Sequence, residues 1–305
     1  MLAAHCHWMP SLAGAAAALI VCATAPASAA QPAFPDFSGL WARTSLGYEK
    51  PLNAQGGVKN RMLRPNGASN LGQLVGDYTD PLLTPAAAEV LKRLGEISIK
   101  GIAFPQPSNQ CLPYPPPYIS SNNQEIQLLQ EKDRVTILTM FDHQFRHVRL
   151  NSQHPADVTP SWYGDSIGHY EGETLVVDTV GMKVTPLSMV DIYGTPFSSK
   201  LHVIEKFHLV DNVTARAFAD RGEAENGRVA GDNGDGVELD PNDRGPGLQL
   251  EITVEDPEMF TRPWTGTVTY RRPVAAWAEM VCAENTHEYY AGKDTAIPVA
   301  RKPDF

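Results

Sequence analysis

From residue 131 onward, short stretches of alternating apolar and polar residues follow one another along the chain. This period of two is typical of β-strands, and the stretches are rich in β-branched and aromatic residues. Turn signals such as Glu171-Gly172-Glu173 and Asp256-Pro257 separate them. Consecutive strands joined by tight turns pair antiparallel, so we predict an all-β meander of about eight strands, closed as a calycin-like barrel or folded as a sandwich. The predicted strands lie in DRVTILTMF, QFRHVRL, HYEGETLVVDTV, KLHVIEKFHLV, VTARAFA, LQLEITVE and GTVTYRR.

One helix and two long irregular segments accompany these strands. The helix is predicted over residues 81–97, because Thr84 can cap its start, Pro85 suits its first turn and apolar residues recur at helical spacing. Residues 104–122 are rich in proline, which favours an extended, irregular strap on the surface. Residues 222–247 are rich in Gly and Asp and predict an acidic loop.

The first 29 residues predict a cleaved export signal. They contain no Asp, Glu, Lys or Arg, and their apolar run ends in Ala27-Ser28-Ala29, an A-x-A cleavage pattern. The run is shorter than a membrane span, and no later stretch reaches the roughly 20 apolar residues of a transmembrane helix. We therefore predict a mature chain of residues 30–305, folded as a single β-rich domain in a bacterial periplasm.

Two cysteines, Cys111 and Cys282, remain in this mature chain. An even number of cysteines in an oxidising compartment favours a disulfide between them, which would staple the proline-rich strap to the C-terminal region. Two separate buried thiols are the alternative.

The charge of the chain bears on its partners. The formal net charge is −10, whereas binding to nucleic acid or to an anionic membrane surface needs clustered Lys and Arg. We therefore expect neither of those partners and predict a small molecule instead.

The segment Gly164-Asp165-Ser166-Ile167-Gly168 matches the G-x-S-x-G pattern of a serine hydrolase. A nucleophile elbow needs a strand before the serine and a helix directly after it. Here the residues after Ser166 alternate as a strand and reverse at Gly172. The match therefore indicates a glycine-bounded turn that leads into a hairpin.

Two charged residues stand on otherwise apolar strand faces. Glu205 shares a face with Val203 and Phe207, and Arg146 shares one with Val148. A buried carboxylate must be paired or protonated, so Glu205 is either a general acid or base or half of a structural ion pair. Arg146 would pair with it, or would bind a substrate carboxylate as a two-pronged donor.

We predict no metal site and no cofactor. His143 and His147 are four residues apart, and on a strand that spacing separates them by about 13 Å, too far to share an ion. Residues 232–243 resemble a calcium loop but miss the spacing of an EF-hand. A plain solvated loop is the alternative there.

Aromatic residues near the predicted turns fit the walls of a pocket for an aromatic or apolar ligand. They are Trp162, Tyr163, Tyr170 and Trp264. Core packing explains each of them equally well.

The stretch GDSIGHYEGETLVVDT, together with LHVIEKF, EITVEDPEMFTRPWT and EMVCAEN, resembles a large family of secreted proteobacterial and acidobacterial proteins. Most of that family lacks an assigned function. Tyr170 stands where the family pattern has Trp, and Lys206 where it has Arg. The resemblance implies a link to the breakdown of lignin-derived aromatic compounds by cofactor-free decarboxylation or ring opening. In addition, FSGLW is similar to the start of lipocalin-like barrels.

These features together predict a periplasmic, cofactor-independent lyase or decarboxylase that acts on a small aromatic acid. In this hypothesis Arg146 holds the substrate carboxylate, Glu205 is the general acid or base and His169 is a spare proton carrier. The alternative is a non-catalytic carrier that binds a small apolar ligand in the same pocket.

Overall fold

Nine β-strands form one sheet that curves into a nearly closed barrel, as the alternating pattern predicts. The computed structural model describes residues 34–51, 54–123, 125–140, 145–228 and 237–274, so the predicted signal, residues 1–29, lies outside the described residues. The strands are β1 (Gly39–Trp41), β2 (Ile126–Gln130), β3 (Arg134–Thr139), β4 (Phe145–Leu150), β5 (Asp165–Glu171), β6 (Thr174–Val180), β7 (His202–Val210), β8 (Gly247–Glu255) and β9 (Trp264–Tyr270).

Each strand pairs with the next along the chain, and the two edge strands approach each other at the closure. Just beyond β1 and β9, Ala42 and Arg271 exchange two backbone hydrogen bonds of 2.8 Å. Closure leaves the sheet with an inner and an outer face, and alternate residues of every strand point inward. The inward apolar residues of β7 and β8 are buried and form much of the core, and they include Val203, Phe207, Leu248, Leu250, Ile252 and Val254.

One strand pair departs from the predicted antiparallel meander: β4 and β5 pair in parallel. A parallel pair needs a long connection to carry the chain back to the same end of the sheet, and residues 151–164 provide it. Asp165 holds this connection, since it accepts hydrogen bonds of 2.6 and 3.0 Å from Arg149 and lies 2.6 Å from Nδ1 of His154. Arg149 and then His154 lower the pKa of Asp165, so the carboxylate that holds the connection is negatively charged.

The predicted helix is confirmed as α1 (Pro85–Ile99), where the side chain of Thr84 accepts a hydrogen bond from the backbone of Ala87. A second helix, α2 (Asn212–Asn226), replaces the predicted strand in VTARAFA and the first part of the predicted loop over 222–247.

The physical reason for this error lies at Asp211. Its side chain accepts a 3.0 Å hydrogen bond from the backbone of Thr214, which starts the helix. The pair Asp211-Asn212 is also a common turn signal between strands, so the local sequence does not distinguish the two structures. No helix in the described residues is both long and apolar enough to cross a membrane.

The proline-rich strap over 104–122 is irregular, as predicted, but it is not on the surface. It contains two short 3-10 helices (Pro107–Asn109 and Tyr118–Ser121). Tyr114, Tyr118 and Ile119 are buried in a small second core, because their aromatic and aliphatic side chains outweigh the polarity of the neighbouring backbone.

Helix α2 packs closely against the start of β8, so we expect Gly247→Ala to destabilise the protein. A Cβ added at Gly247 would lie 2.4 Å from the Cβ of Ala215 on the helix. Overpacking of this kind costs about 1–3 kcal/mol. Urea unfolding measures the loss, with Gly72→Ala as the control, because the nearest atom to a Cβ there is a side-chain oxygen at 3.4 Å. Equal stability of the two variants would contradict this packing.

Candidate functional site

The two charged residues on apolar strand faces meet inside the barrel. Glu205 lies at the centre of β7 and Arg146 near the start of β4, and both side chains are buried. Nη2 of Arg146 lies 2.7 Å from Oε2 of Glu205. Strands β4 and β7 are three positions apart in the sheet, so the two side chains reach each other across the barrel interior.

The contact between them is an ion pair without the alignment of a hydrogen bond. Although Nη2 and Oε2 are close, Oε2 of Glu205 has no hydrogen-bond partner of acceptable geometry in the described part of the chain. Nη1 of Arg146 is likewise buried without a partner there. Most buried polar atoms are hydrogen-bonded, so an ion pair with two atoms that lack a hydrogen-bond partner is unusual.

A cavity beside the pair exposes both residues to an apolar interior. Its free space for the centre of a water molecule is about 20 Å³, which is room for roughly one water. Strands, strap and the β4–β5 connection all contribute to its wall. The described residues that line it are Pro116, Ile119, Ser120, Ile126, Ile137, Thr139, Arg146, Tyr163, Glu205, Phe207, Leu250 and Tyr270.

The strap and Tyr270 supply polar groups that sequence reasoning missed. Burial raises the pKa of Tyr270 to about 12, so its phenol stays protonated near neutral pH and is a potential donor in the cavity. Arg43 braces the strap, because its Nη1 donates a 2.8 Å hydrogen bond to the carbonyl of Ser120. Alternation in GTVTY puts Tyr270 on the same strand face as Val268. No feature of the sequence, however, indicates that Tyr270 or Ser120 lies near Glu205.

Of the four aromatic residues predicted to bind substrate, only Tyr163 lines this cavity. Trp264 is buried in the core, where it contacts the rings of Tyr48 and Phe260 at centroid distances of 5.5 and 5.9 Å. Tyr170 stacks on Phe34 at 4.1 Å.

Trp162 lies next to Tyr163, and the ammonium group of Lys183 sits 5.2 Å from the centre of its ring. For Trp162, Tyr170 and Trp264, packing within the protein therefore explains the aromatic side chain.

His169 and Ser166 lie on opposite faces of β5. His169 is exposed and its Nε2 lies 2.9 Å from Glu171, so it does not share the barrel interior with Glu205. Ser166 is buried, and its hydroxyl is 2.9 Å from that of Thr179. Residues on both sides of Ser166 belong to the strand, so the sharp strand-to-helix turn of a nucleophile elbow is not formed here.

Within the part of the chain that the structure describes, no three His, Cys, Asp or Glu side chains are grouped to hold a metal ion. His147 is exposed on the outer face of β4 and contacts Thr136, while His143 is outside the described residues. Residues 232–236 of the calcium-like stretch are also outside them. Cys282 is outside them too, so the pairing of Cys111 with Cys282 stays a prediction.

A second buried acid, Asp191, lies close to the strap. Its Oδ1 accepts backbone hydrogen bonds from Tyr193 at 2.9 Å and Thr195 at 3.2 Å. Burial nevertheless raises the pKa of Asp191 to about 6, because these bonds only partly compensate for the lost water. Burial, and then the charge of Asp191, raise the pKa of Tyr48, whose hydroxyl donates a 2.8 Å hydrogen bond to the strap carbonyl of Pro117.

Comparisons with known proteins leave the family open. No protein-family model, curated protein or solved structure matches this chain. The family resemblance noted in the sequence therefore stays a prediction, and any function has to be argued from the geometry of this site.

We expect removal of one member of the ion pair to destabilise the protein far more than removal of both. Arg146→Met or Glu205→Leu leaves one buried charge without its partner, which costs about 3–5 kcal/mol. The double variant removes both charges and should approach the stability of the parent. Urea unfolding of all four proteins gives the coupling free energy.

The matched control for this cycle is Arg134→Met. Arg134 also pairs with a glutamate, Glu131, at 2.8 Å, but that pair is exposed to solvent. We expect a loss below about 1 kcal/mol there. If the single variants at the buried pair cost no more than this control, the pair has no structural role in the barrel.

Asp191 should make stability depend on pH. Because its pKa is about 6 in the folded protein and lower in the unfolded chain, the folded state binds the proton more tightly. Asp191 therefore adds a slope to the dependence of stability on pH: its contribution is greatest below the unfolded pKa and is lost as the pH rises through about 6, by up to about 3 kcal/mol. Asp191→Asn keeps the acceptor oxygen and should remove this slope, whereas Asp157→Asn on the surface should keep it. An unchanged slope in Asp191→Asn would contradict this assignment.

Proposed function

We propose that the protein is a cofactor-independent lyase that decarboxylates a small aromatic acid in the cavity of the barrel. The observation that carries this proposal is the buried pair of Arg146 and Glu205: both residues line a cavity with otherwise mostly apolar walls, and Nη1 of Arg146 and Oε2 of Glu205 have no hydrogen-bond partner among the described residues. Ionisable groups in such surroundings are typical of sites for proton transfer.

The chemistry follows from the groups present. Glu205 exchanges a proton with the substrate, and the guanidinium of Arg146 stabilises the negative charge that develops there. Cleavage of the carbon–carbon bond leaves its electron pair on the organic fragment. A phenol conjugated with the reacting carbon provides the electron sink, because it can pass through a quinone methide. Carbon dioxide then leaves without any change of oxidation state that would require an added oxidant.

The size of the cavity requires a side chain to move before an aromatic ring can bind. Among the described lining residues, Tyr163 alone is only half-buried, and it lies on the long connection between β4 and β5. We propose that Tyr163 swings outward and then packs against the bound ring.

Three predictions from the sequence support the same proposal. The export signal places the protein in the periplasm, the disulfide between Cys111 and Cys282 fixes the strap that covers the cavity, and the family resemblance links the chain to lignin-derived aromatic compounds. We retain all three as parts of the proposal.

The second candidate function is a carrier that binds a small aromatic or apolar molecule and releases it unchanged. The small, largely apolar cavity favours it equally, since binding needs the walls but no proton transfer. Proton chemistry at Glu205 is what distinguishes the two functions.

A turnover assay with Glu205→Gln separates them. Purified protein, without added cofactor, is incubated with a panel of hydroxylated aromatic acids, and mass spectrometry detects products lighter by carbon dioxide. We expect turnover by the parent and a loss of about 10²–10⁴-fold in Glu205→Gln, because the amide cannot exchange the proton. Circular dichroism at the assay temperature verifies that the variant is folded.

Glu251→Gln is the matched control, since Glu251 is exposed on the outer face of the neighbouring strand β8. We expect its rate to equal that of the parent. Binding of aromatic acids by the parent without any product would support the carrier and refute the lyase. Equal turnover in both glutamine variants would remove Glu205 from the reaction.

A further inference from the structure

We infer that the ion pair binds a neutral hydroxyl group of the ligand, a phenol or an alcohol, and not its carboxylate. This inference rests on the proposed function and deepens it by naming the ligand group that reaches Arg146 and Glu205. It replaces the role that the sequence analysis gave to Arg146, which was to hold a substrate carboxylate.

The charges of the site favour a neutral group. Arg146 already faces the carboxylate of Glu205 at 2.7 Å, so the pair together carries no net charge. A ligand carboxylate would have to come close to Oε2 of Glu205 in a buried setting, where repulsion between like charges is strong.

Among the described residues that line the cavity, no second cation offsets this repulsion. The nearby Arg43 has its Nη1 and Nη2 groups committed to the carbonyls of Ser120 and Gly47, both at 2.8 Å. Among the described lining residues, an anionic ligand therefore finds no cation other than Arg146, which already faces Glu205.

The two orphaned atoms are complementary to a hydroxyl. Nη1 of Arg146 can only donate a hydrogen bond, and Oε2 of an ionised Glu205 can only accept one. A hydroxyl accepts from the first and donates to the second, which satisfies both. A carboxylate only accepts, so it would leave Oε2 without a partner.

The size of the cavity also favours a hydroxyl over a carboxylate beside the ion pair. The free volume beside the pair is about 20 Å³, enough for roughly one oxygen atom of the size of a water. The hydroxyl of a ligand can fill this space, while its ring takes the room beside Ile119, Ile137 and Phe207 that movement of Tyr163 opens. A carboxylate would place two oxygens beside the pair, where this space holds one.

This orientation accounts for the proton transfer that the proposed reaction needs. When the hydroxyl is a phenol, its O–H bond breaks, the proton moves to Oε2 of Glu205 and the electron pair stays on the phenolate oxygen beside Nη1 of Arg146. The phenolate then supplies electrons to the conjugated side chain, and the carbon that bears the carboxylate takes a proton from water, which forms the quinone methide. When the bond to the carboxylate breaks, its electron pair returns to the quinone methide, the ring becomes a phenolate again and carbon dioxide leaves. The carboxylate that leaves as carbon dioxide therefore lies at the opposite end of the ligand, away from Glu205.

Binding of three matched ligands tests the inference without any turnover. The ligands are 3-(4-hydroxyphenyl)propanoate, its methyl ether 3-(4-methoxyphenyl)propanoate, and 4-ethylphenol, which lacks the carboxylate. Their saturated side chains cannot form the quinone methide in this way. Isothermal titration calorimetry with the parent protein should show binding of both phenols, and the methyl ether should bind at least about tenfold more weakly.

Glu205→Gln supplies the second readout, because its side chain can donate a hydrogen bond to a ligand acceptor. The preference for the phenols over the methyl ether should fall at least about tenfold in this variant. In Glu251→Gln on the outer face the preference should be unchanged. The comparison of ligands on the parent stands by itself if Glu205→Gln does not fold.

Each outcome decides the inference. Equal or tighter binding of the methyl ether, or failure of 4-ethylphenol to bind, would overturn it and leave the lyase proposal standing. Failure of all three ligands to bind would also overturn it, and the turnover assay would then judge the proposed function separately. A preference for the phenols that persists in Glu205→Gln would show that the hydroxyl binds elsewhere.

Discussion

The curvature of the sheet is the constraint on which the rest of this structure depends. Strands β4 and β7 are three positions apart, which is about 14 Å in a flat sheet. Only because the nine strands curve towards closure do their inward side chains meet, and the 2.7 Å contact between Arg146 and Glu205 follows from it. The hydrogen bonds between Ala42 and Arg271 at the closure therefore contribute to the site without touching it.

The closed barrel also explains why so few polar atoms can define the candidate site. Most buried polar groups are hydrogen-bonded within a protein, so unpartnered ones beside a cavity are candidates to contact a ligand. The strap provides one wall, held by Arg43 at Ser120, and the β4–β5 connection provides Tyr163. Among the described residues between these walls, Nη1 of Arg146 and Oε2 of Glu205 are buried without a hydrogen-bond partner, and the proposed function rests on these two atoms.

The local pattern of apolar and polar residues was sufficient to predict most strands and α1. The errors concern features that this pattern does not encode. VTARAFA alternates over too few residues to distinguish a strand from a helix, and the cap at Asp211 decides for α2. The strap was expected on the surface because its prolines exclude regular structure, yet Tyr114 and Tyr118 bury it. The parallel pairing of β4 with β5 depends on where residues 151–164 run, and no local pattern encodes that path.

The sequence by itself determined that Glu205 and Arg146 lie on inward faces of their strands, because alternation along a strand is a local property. Only the tertiary structure decided that they face each other, and that Tyr163 and Tyr270 join them while Trp264, Tyr170 and His169 do not. Which inward side chains meet depends on the order, register and curvature of all nine strands together. These are set by the closure of the whole barrel, since a shift of one residue in any strand would turn its inward side chains outward.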